Sequence, residues 1–164
     1  MTGFSSIPAT AASAGWVMCY FTENPHNYDL HLAYSTDALH WTELNDGDPV
    51  AHPTLGYEGL RDPFILKKQD GTFVVMATNM HGTNFTQTSP AIHIWDSTDL
   101  ITFSNYHLVQ MNSSNMHAWA PKAFYDSGRG QYAILWSGNT DRNRIYVNYT
   151  TDFINVGRYP AGLL

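Results

Sequence analysis

Three segments of the chain share one pattern, and it limits the folds open to them more than any other feature. Each is an apolar stretch that ends in Ser/Thr-Thr-Asp and meets an aromatic or aliphatic residue four positions past the Asp. They cover residues 30–37, 92–99 and 145–152, with Trp41, Phe103 and Val156 as the residues that follow. Upstream of each lies an apolar stretch opened by a glycine, at Gly15, Gly71 and Gly130, spaced 56 and 59 residues apart. A unit of this length that recurs in sequence points to a repeat architecture, and short strands recurring in sets point to propeller blades.

Composition agrees with strands. Aromatic residues make up 14% of the 164 residues and charged residues only 13%, with 12 Gly and 8 Pro. Many aromatics, few charges and frequent turn formers suit an all-β chain. No stretch holds apolar residues at helical spacing for three turns. Within the second repeat, strands are expected at 64–66, 73–77, 91–95 and 103–109. Asp70-Gly71 closes the first hairpin. The third repeat matches, with strands expected at 120–125, 131–136 and 144–149 and a loop over 137–143. Four strands per repeat is the count of a propeller blade. The repeats are read at roughly 15–57, 58–112 and 117–164, all in one partial propeller domain spanning 1–164. The first lacks an opening strand, which residues 4–7 or a segment outside the chain could supply.

The residue that draws most chemistry is Asp62, in Gly59-Leu60-Arg61-Asp62-Pro63-Phe64-Ile65-Leu66. Proline suits the first residue of a strand, so Asp62 is expected at a strand mouth. Arg61 beside it would favour the ionised carboxylate, the form able to act as a base. An isolated Asp-Pro more commonly caps a turn. Trp119, His117 and His81 are singled out as well: the bland readings are a core aromatic for Trp119 and a satisfied structural histidine for His117, and His81 lies on the loop after a return strand.

Taken together, Arg61-Asp62-Pro63-Phe64-Ile65, Trp119-Ala120-Pro121, Phe124-Tyr125-Asp126 and the Ser-Thr-Asp repeats resemble glycoside hydrolase family 43. The likeness runs from about Trp16 to near the end and is greatest to the arabinofuranosidase- and xylosidase-like branch. It implies a five-bladed propeller of which this chain holds about three blades. It also implies inverting hydrolysis of α-L-arabinofuranosides or β-xylosides, with Asp62 as general base and Trp119 lining the pocket. His117, Arg61 and His81 are the further candidate substrate contacts. The resemblance implies an extracellular setting. It also implies that a calcium ion near the axis occurs in relatives; no cofactor is otherwise expected.

Two departures stand out. Lys122 occupies a position where such relatives often carry an acidic or amide residue. The tuning Asp and acid Glu implied by the resemblance belong to blades downstream of the third repeat. Glu23, Glu43 and Glu58 are the glutamates of the chain, and none falls on the acid's position. Inverting hydrolysis needs two carboxyl groups, so the chain alone is expected to be inactive or weakly active. The alternative is a non-catalytic carbohydrate-binding propeller. A sialidase-like reading ranks last, since the Asp-box echo at Ser35-Thr36-Asp37 lacks an arginine cluster. An open arc of blades is expected to self-associate or to need a downstream half.

Charge and motifs narrow the partners. A net charge of −6 without a Lys/Arg cluster argues against nucleic acid and anionic membranes. The eight His are dispersed, so no metal site is expected. Residues 1–15 lack the basic and apolar parts of a secretory signal. Three glycosylation acceptor patterns begin at Asn84, Asn112 and Asn148, and Cys19 is read as a core residue.

Overall fold

The computed structural model describes residues 15–24, 27–139, 142–157 and 161–162, and these are almost wholly β. Three antiparallel sheets follow one another along the chain. The first holds β1 (Trp16–Tyr20), β2 (His31–Ser35) and β3 (Thr42–Glu43). The second holds β4 (Leu60–Lys67), β5 (Phe73–Asn79), β6 (Ala91–Ser97) and β7 (Phe103–Gln110). The third holds β8 (Trp119–Asp126), β9 (Gln131–Asn139), β10 (Asn143–Thr150) and β11 (Ala161–Gly162). Within each sheet every strand pairs with its neighbour in sequence, which gives three meanders. The candidate strand at residues 4–7 lies outside the described residues.

Sequence chemistry sets the turns. In the hairpin from β4 to β5, Gly71 adopts φ +87°, and the Asp70 carboxylate accepts from both the Thr72 amide and hydroxyl. Strands run past their apolar stretches. Asn139 ends β9 and Asn143 opens β10, both inside the expected loop over 137–143. Ladder hydrogen bonds join backbones and ask nothing of side chains at strand ends.

The Ser/Thr-Thr-Asp motif proves to be one turn built three times. In the first, the Ser35 hydroxyl accepts the amides of Asp37 and Ala38, and the Asp37 carboxylate accepts those of Leu39 and His40. Ser97 and Asp99 repeat these bonds, as do Thr150 and Asp152. The residue after each Asp is left-handed, with φ of 62° at Ala38, 60° at Leu100 and 58° at Phe153. Leu100 and Phe103 pack into the core between the first and second sheets, and Phe153 and Val156 into that between the second and third. The second and third turns thus lean back on the preceding sheet. In the first sheet, Ala38 and Trp41 hold those positions and are exposed.

The second sheet is buried on both faces because side chains alternate along a strand. Val74 and Met76 of β5 face the third sheet's Ile134 and Trp136, while Val75 and Ala77 join Leu30 and Leu60 on the other side. Cys19 packs half-buried against that second cluster, and burial pushes its thiol up to about 11. β4 lies beside both β1 and β8. This is an arc of propeller blades, with β4 and β8 as the strands that open theirs.

Two of the three acceptor asparagines are structural. Asn112 is buried and binds Met116 through both its oxygen and its nitrogen. Asn148 is buried, accepts from the Trp136 indole at 2.7 Å and donates to the carbonyls of Met111 and Gly157. Asn84 alone of the three is exposed.

Candidate functional site

Asp62 stands inside β4, not at its mouth. Arg61 pairs with Thr78 of β5 and Phe64 with Met76, so one extra residue bulges out between them. Pro63, which cannot donate to the ladder, sits in the bulge, and Asp62 before it takes φ +50°. The same device recurs in β8. There Trp119 pairs with Ser137 and Lys122 with Leu135, and Ala120, before Pro121, takes φ +49°. Non-glycine residues rarely hold such angles, and they gather where surrounding structure enforces them.

One buried hydroxyl ties the two bulges together. Thr78 Oγ1 donates to Asp62 Oδ2 at 3.1 Å and accepts the Ala120 amide at 2.8 Å. Thr78 is 1% exposed, whereas Asp62 is exposed. The carboxylate is therefore fixed on one oxygen and open to solvent, an arrangement suited to a base that takes a proton from water.

Arg61 does not serve Asp62. Neighbouring strand residues point to opposite faces, and its guanidinium donates to the Gly82 carbonyl at 3.0 Å and lies 3.8 Å from Glu23. It rests 4.9 Å from the Phe21 ring centre and 5.9 Å from those of Tyr28 and Phe85. Arg61 thus bolts the loop after β5 to the first sheet. His81 is engaged in the same bolt, 2.9 Å from Asn27 Oδ1 and against the Tyr28 ring. Gly59 lies under it, where a Cβ would strike the His81 backbone and ring. Lys122 covers the Phe64 ring at 5.0 Å.

Trp119 and His117 come together with a residue that sequence reading passed over, Phe85. The His117 and Trp119 rings stack at 3.6 Å and 14°, and Phe85 meets Trp119 edge-on at 6.0 Å. These rings wall a hollow of about 370 Å³ that also takes in Asn115, Asn139 and Asn143. Burial holds the His117 imidazole below its ordinary value. Trp119 directly precedes Ala120, so the wall of the hollow is one residue from the second bulge, which the Thr78 hydroxyl links to Asp62. A larger hollow of about 540 Å³, between residues 110–113 and 154–156, has no titratable or aromatic side chain among the described residues that line it. Thr78 was missed because it stands in no motif, and Phe85 because the Asn84 acceptor pattern it belongs to says nothing of its ring; the Pro63 and Pro121 positions, each two residues past the start of its bulge, were the available signal.

Among the described residues no group of three or more His, Cys, Asp or Glu side chains is placed to hold a metal ion. The calcium implied by resemblance therefore finds no such donor set there. Glu43 binds the Tyr20 hydroxyl at 3.3 Å and Glu23 lies by Arg61, so neither supplies a partner to Asp62.

Comparison with known proteins places this geometry. The chain is similar to a thermostable family-43 glycoside hydrolase, with a TM-score of 0.66 and 18% identity over 88% of this chain and 49% of that one. It is similar to a protein from Bifidobacterium bifidum s17 assigned as an exo-beta-1,3-galactanase, at a TM-score of 0.60 and 12% identity over 88% and 48%. It is also similar to an N-acetylgalactosamine deacetylase from F. plautii, solved with blood group B trisaccharide, at 0.62 and 14% over 89% and 48%. The chain spans about half the length of these solved structures. No curated protein matches it by sequence. A family model described as a probable glycosyl hydrolase domain, related to glycoside hydrolase family 43, matches residues 12–160, and the chain belongs to that family.

Proposed function

We propose that the chain is the base-bearing part of an inverting glycosidase that acts on α-L-arabinofuranosides or β-xylosides. Asp62 activates the attacking water, and the wall of Trp119, His117 and Phe85 receives the sugar beside it. The observation that carries this reading is the Asp62 carboxylate, held on one oxygen by Thr78 and open on the other, at a bulge that forces it out of the ladder. The acid comes from blades outside this chain, because inversion needs a second carboxyl group roughly 6.5–9.5 Å away. The open sheet faces meet those blades, or in their absence another copy.

The test is a longer polypeptide, or co-expression of the downstream blades, assayed on aryl arabinofuranosides and xylosides. The 164-residue chain should turn these over poorly, and the completed protein should hydrolyse them. Asp62→Asn should then cost about 10²–10⁴-fold. Activity that survives Asp62→Asn would assign the base elsewhere, and strong activity from the short chain would make Glu58 the first candidate acid. A second reading, a carbohydrate-binding propeller without turnover, draws on the aromatic and amide side chains among the described residues that line the Trp119 hollow. It predicts sugar binding with no hydrolysis in the completed protein.

A further inference from the structure

The three glycosylation acceptor patterns meet different fates in the fold, and one of them stays open. Attachment of a glycan replaces one N–H of the asparagine amide by a bond to a sugar and sets a bulky hydrated group beside it. Asn148 has no hydrogen to spare, because its amide nitrogen donates twice, to the Met111 carbonyl at 3.0 Å and to the Gly157 carbonyl at 2.7 Å. It is 1% exposed, in an interior packed too densely to admit a sugar ring. Asn112 is 5% exposed, and both ends of its amide are engaged with Met116, in a turn that its oxygen also ties at the Ser114 amide.

Asn84 differs on each count. It is exposed, and Thr86, the hydroxyl residue of its own pattern, holds the amide oxygen twice, through its backbone amide at 3.1 Å and its hydroxyl at 2.6 Å. The nitrogen has no hydrogen-bond partner among the described residues, so replacing one of its hydrogens breaks no bond of the fold. The backbone beneath is fixed: the Asn84 carbonyl accepts the Gln87 amide at 3.0 Å, and Arg61 holds the Gly82 carbonyl at 3.0 Å. We propose that Asn84 is an attachment site for one N-linked glycan, and that the folded chain carries none at Asn112 or Asn148. The donor is a lipid-linked oligosaccharide diphosphate, presented by the transferase of a secretory compartment. Asn84 Nδ2 forms a bond to C1 of the first sugar as the bond from C1 to the diphosphate oxygen breaks. The lipid diphosphate leaves, and the amide proton passes to a base of the transferase. The attachment point lies one residue before Phe85 and two before Thr86, which line the Trp119 hollow, and is not itself in that lining. This attachment site is independent of the glycosidase reading.

The test is export of the 164-residue chain, behind a cleavable leader, by a eukaryotic host that attaches N-glycans. Secreted and cell-retained chain are both treated with peptide N-glycosidase F in H₂¹⁸O, and mass spectrometry reads the labelled aspartate left at each glycosylated position. Asn84 should carry the label in the secreted chain, with Asn112 and Asn148 unlabelled. Asn84→Gln should abolish it. Thr86→Ala, which keeps Asn84 but breaks the pattern, should abolish it as well, whereas Thr86→Ser, which keeps the hydroxyl, should retain it. Ser114→Ala, which breaks the pattern at Asn112 through an exposed side chain, should change nothing. Label at Asn112 or Asn148 confined to the retained chain would agree with closed sites, since a glycan there blocks folding. An unlabelled Asn84 in the secreted chain, or in the retained chain where none is secreted, would overturn the assignment. So would a glycan at Asn112 or Asn148 in secreted chain that melts cooperatively, or a label at Asn84 that survives Thr86→Ala.

Discussion

Thr78 is the residue on which the site's order depends. Its single hydroxyl both donates to Asp62 and accepts from Ala120, so it joins strands of two sheets at one atom. Thr78→Val keeps the shape and removes both bonds, which strands a half-buried amide at Ala120. The expected cost is about 1–3 kcal/mol in urea unfolding, while Thr78→Ser, which keeps the hydroxyl, should lose less than half as much. Equal losses in the two variants would mean that the methyl group, not the hydroxyl, carries the effect. Nothing in the sequence marks Thr78. It lies next to the end of β5, and its importance comes from the neighbouring sheet.

At the scale of elements, the three Ser/Thr-Thr-Asp turns and the buried histidines give acid unfolding two stages. Burial holds the His93 imidazole down to about 4 from 6.5, with the Gly59 carbonyl bond opposing it. An unfolded histidine takes its proton first, so this part of stability is whole above pH 6.5 and lost as pH falls toward 4. The span is on the order of 3 kcal/mol, and His93→Gln should flatten it. The turn carboxylates act lower. Asp152 is held to about 2 by the Asn155 side-chain amide and by backbone amides, and backbone amides likewise lower Asp37 and Asp99, chiefly those of His40 and Thr102. Their contribution is present above 3.8 and fades as pH drops below it; being exposed, it should shrink in high salt. Thermal melts from pH 7 to 2 would resolve the two stages; a single stage below pH 4 unchanged by His93→Gln would refute the first. The turns were legible in the sequence because their bonds are local, made by one short motif to its own backbone. The bulges at Asp62 and Ala120 were not. Pro63 and Pro121 suggested strand starts, and only pairing with β5 and β9 shows that the strands begin earlier. Arg61 was read by adjacency to Asp62, whereas strand alternation sends it to Gly82 and Phe21.

For the whole molecule, the two end sheets leave apolar surface uncovered. The first exposes Trp16, Met18 and Trp41, and the third exposes Phe124 and Ile145. Since Phe103 and Val156 each pack on the sheet before their own, Trp41 occupies a position shaped for a neighbour. Sedimentation of the 164-residue chain should show self-association that Trp41→Ser with Phe124→Ser reduces; a monodisperse monomer in both would count against an open arc. The meander within each sheet carries a different consequence, for the order in which the chain takes shape. All described strand pairs join neighbours in sequence, so every ladder closes a short loop and can form as soon as its own strands exist. During synthesis the second sheet can assemble before the third has left the ribosome, and the third then condenses on a finished surface. The bond from the Thr78 hydroxyl to the Ala120 amide closes only at that last docking, so the site is among the final features of the chain to become ordered.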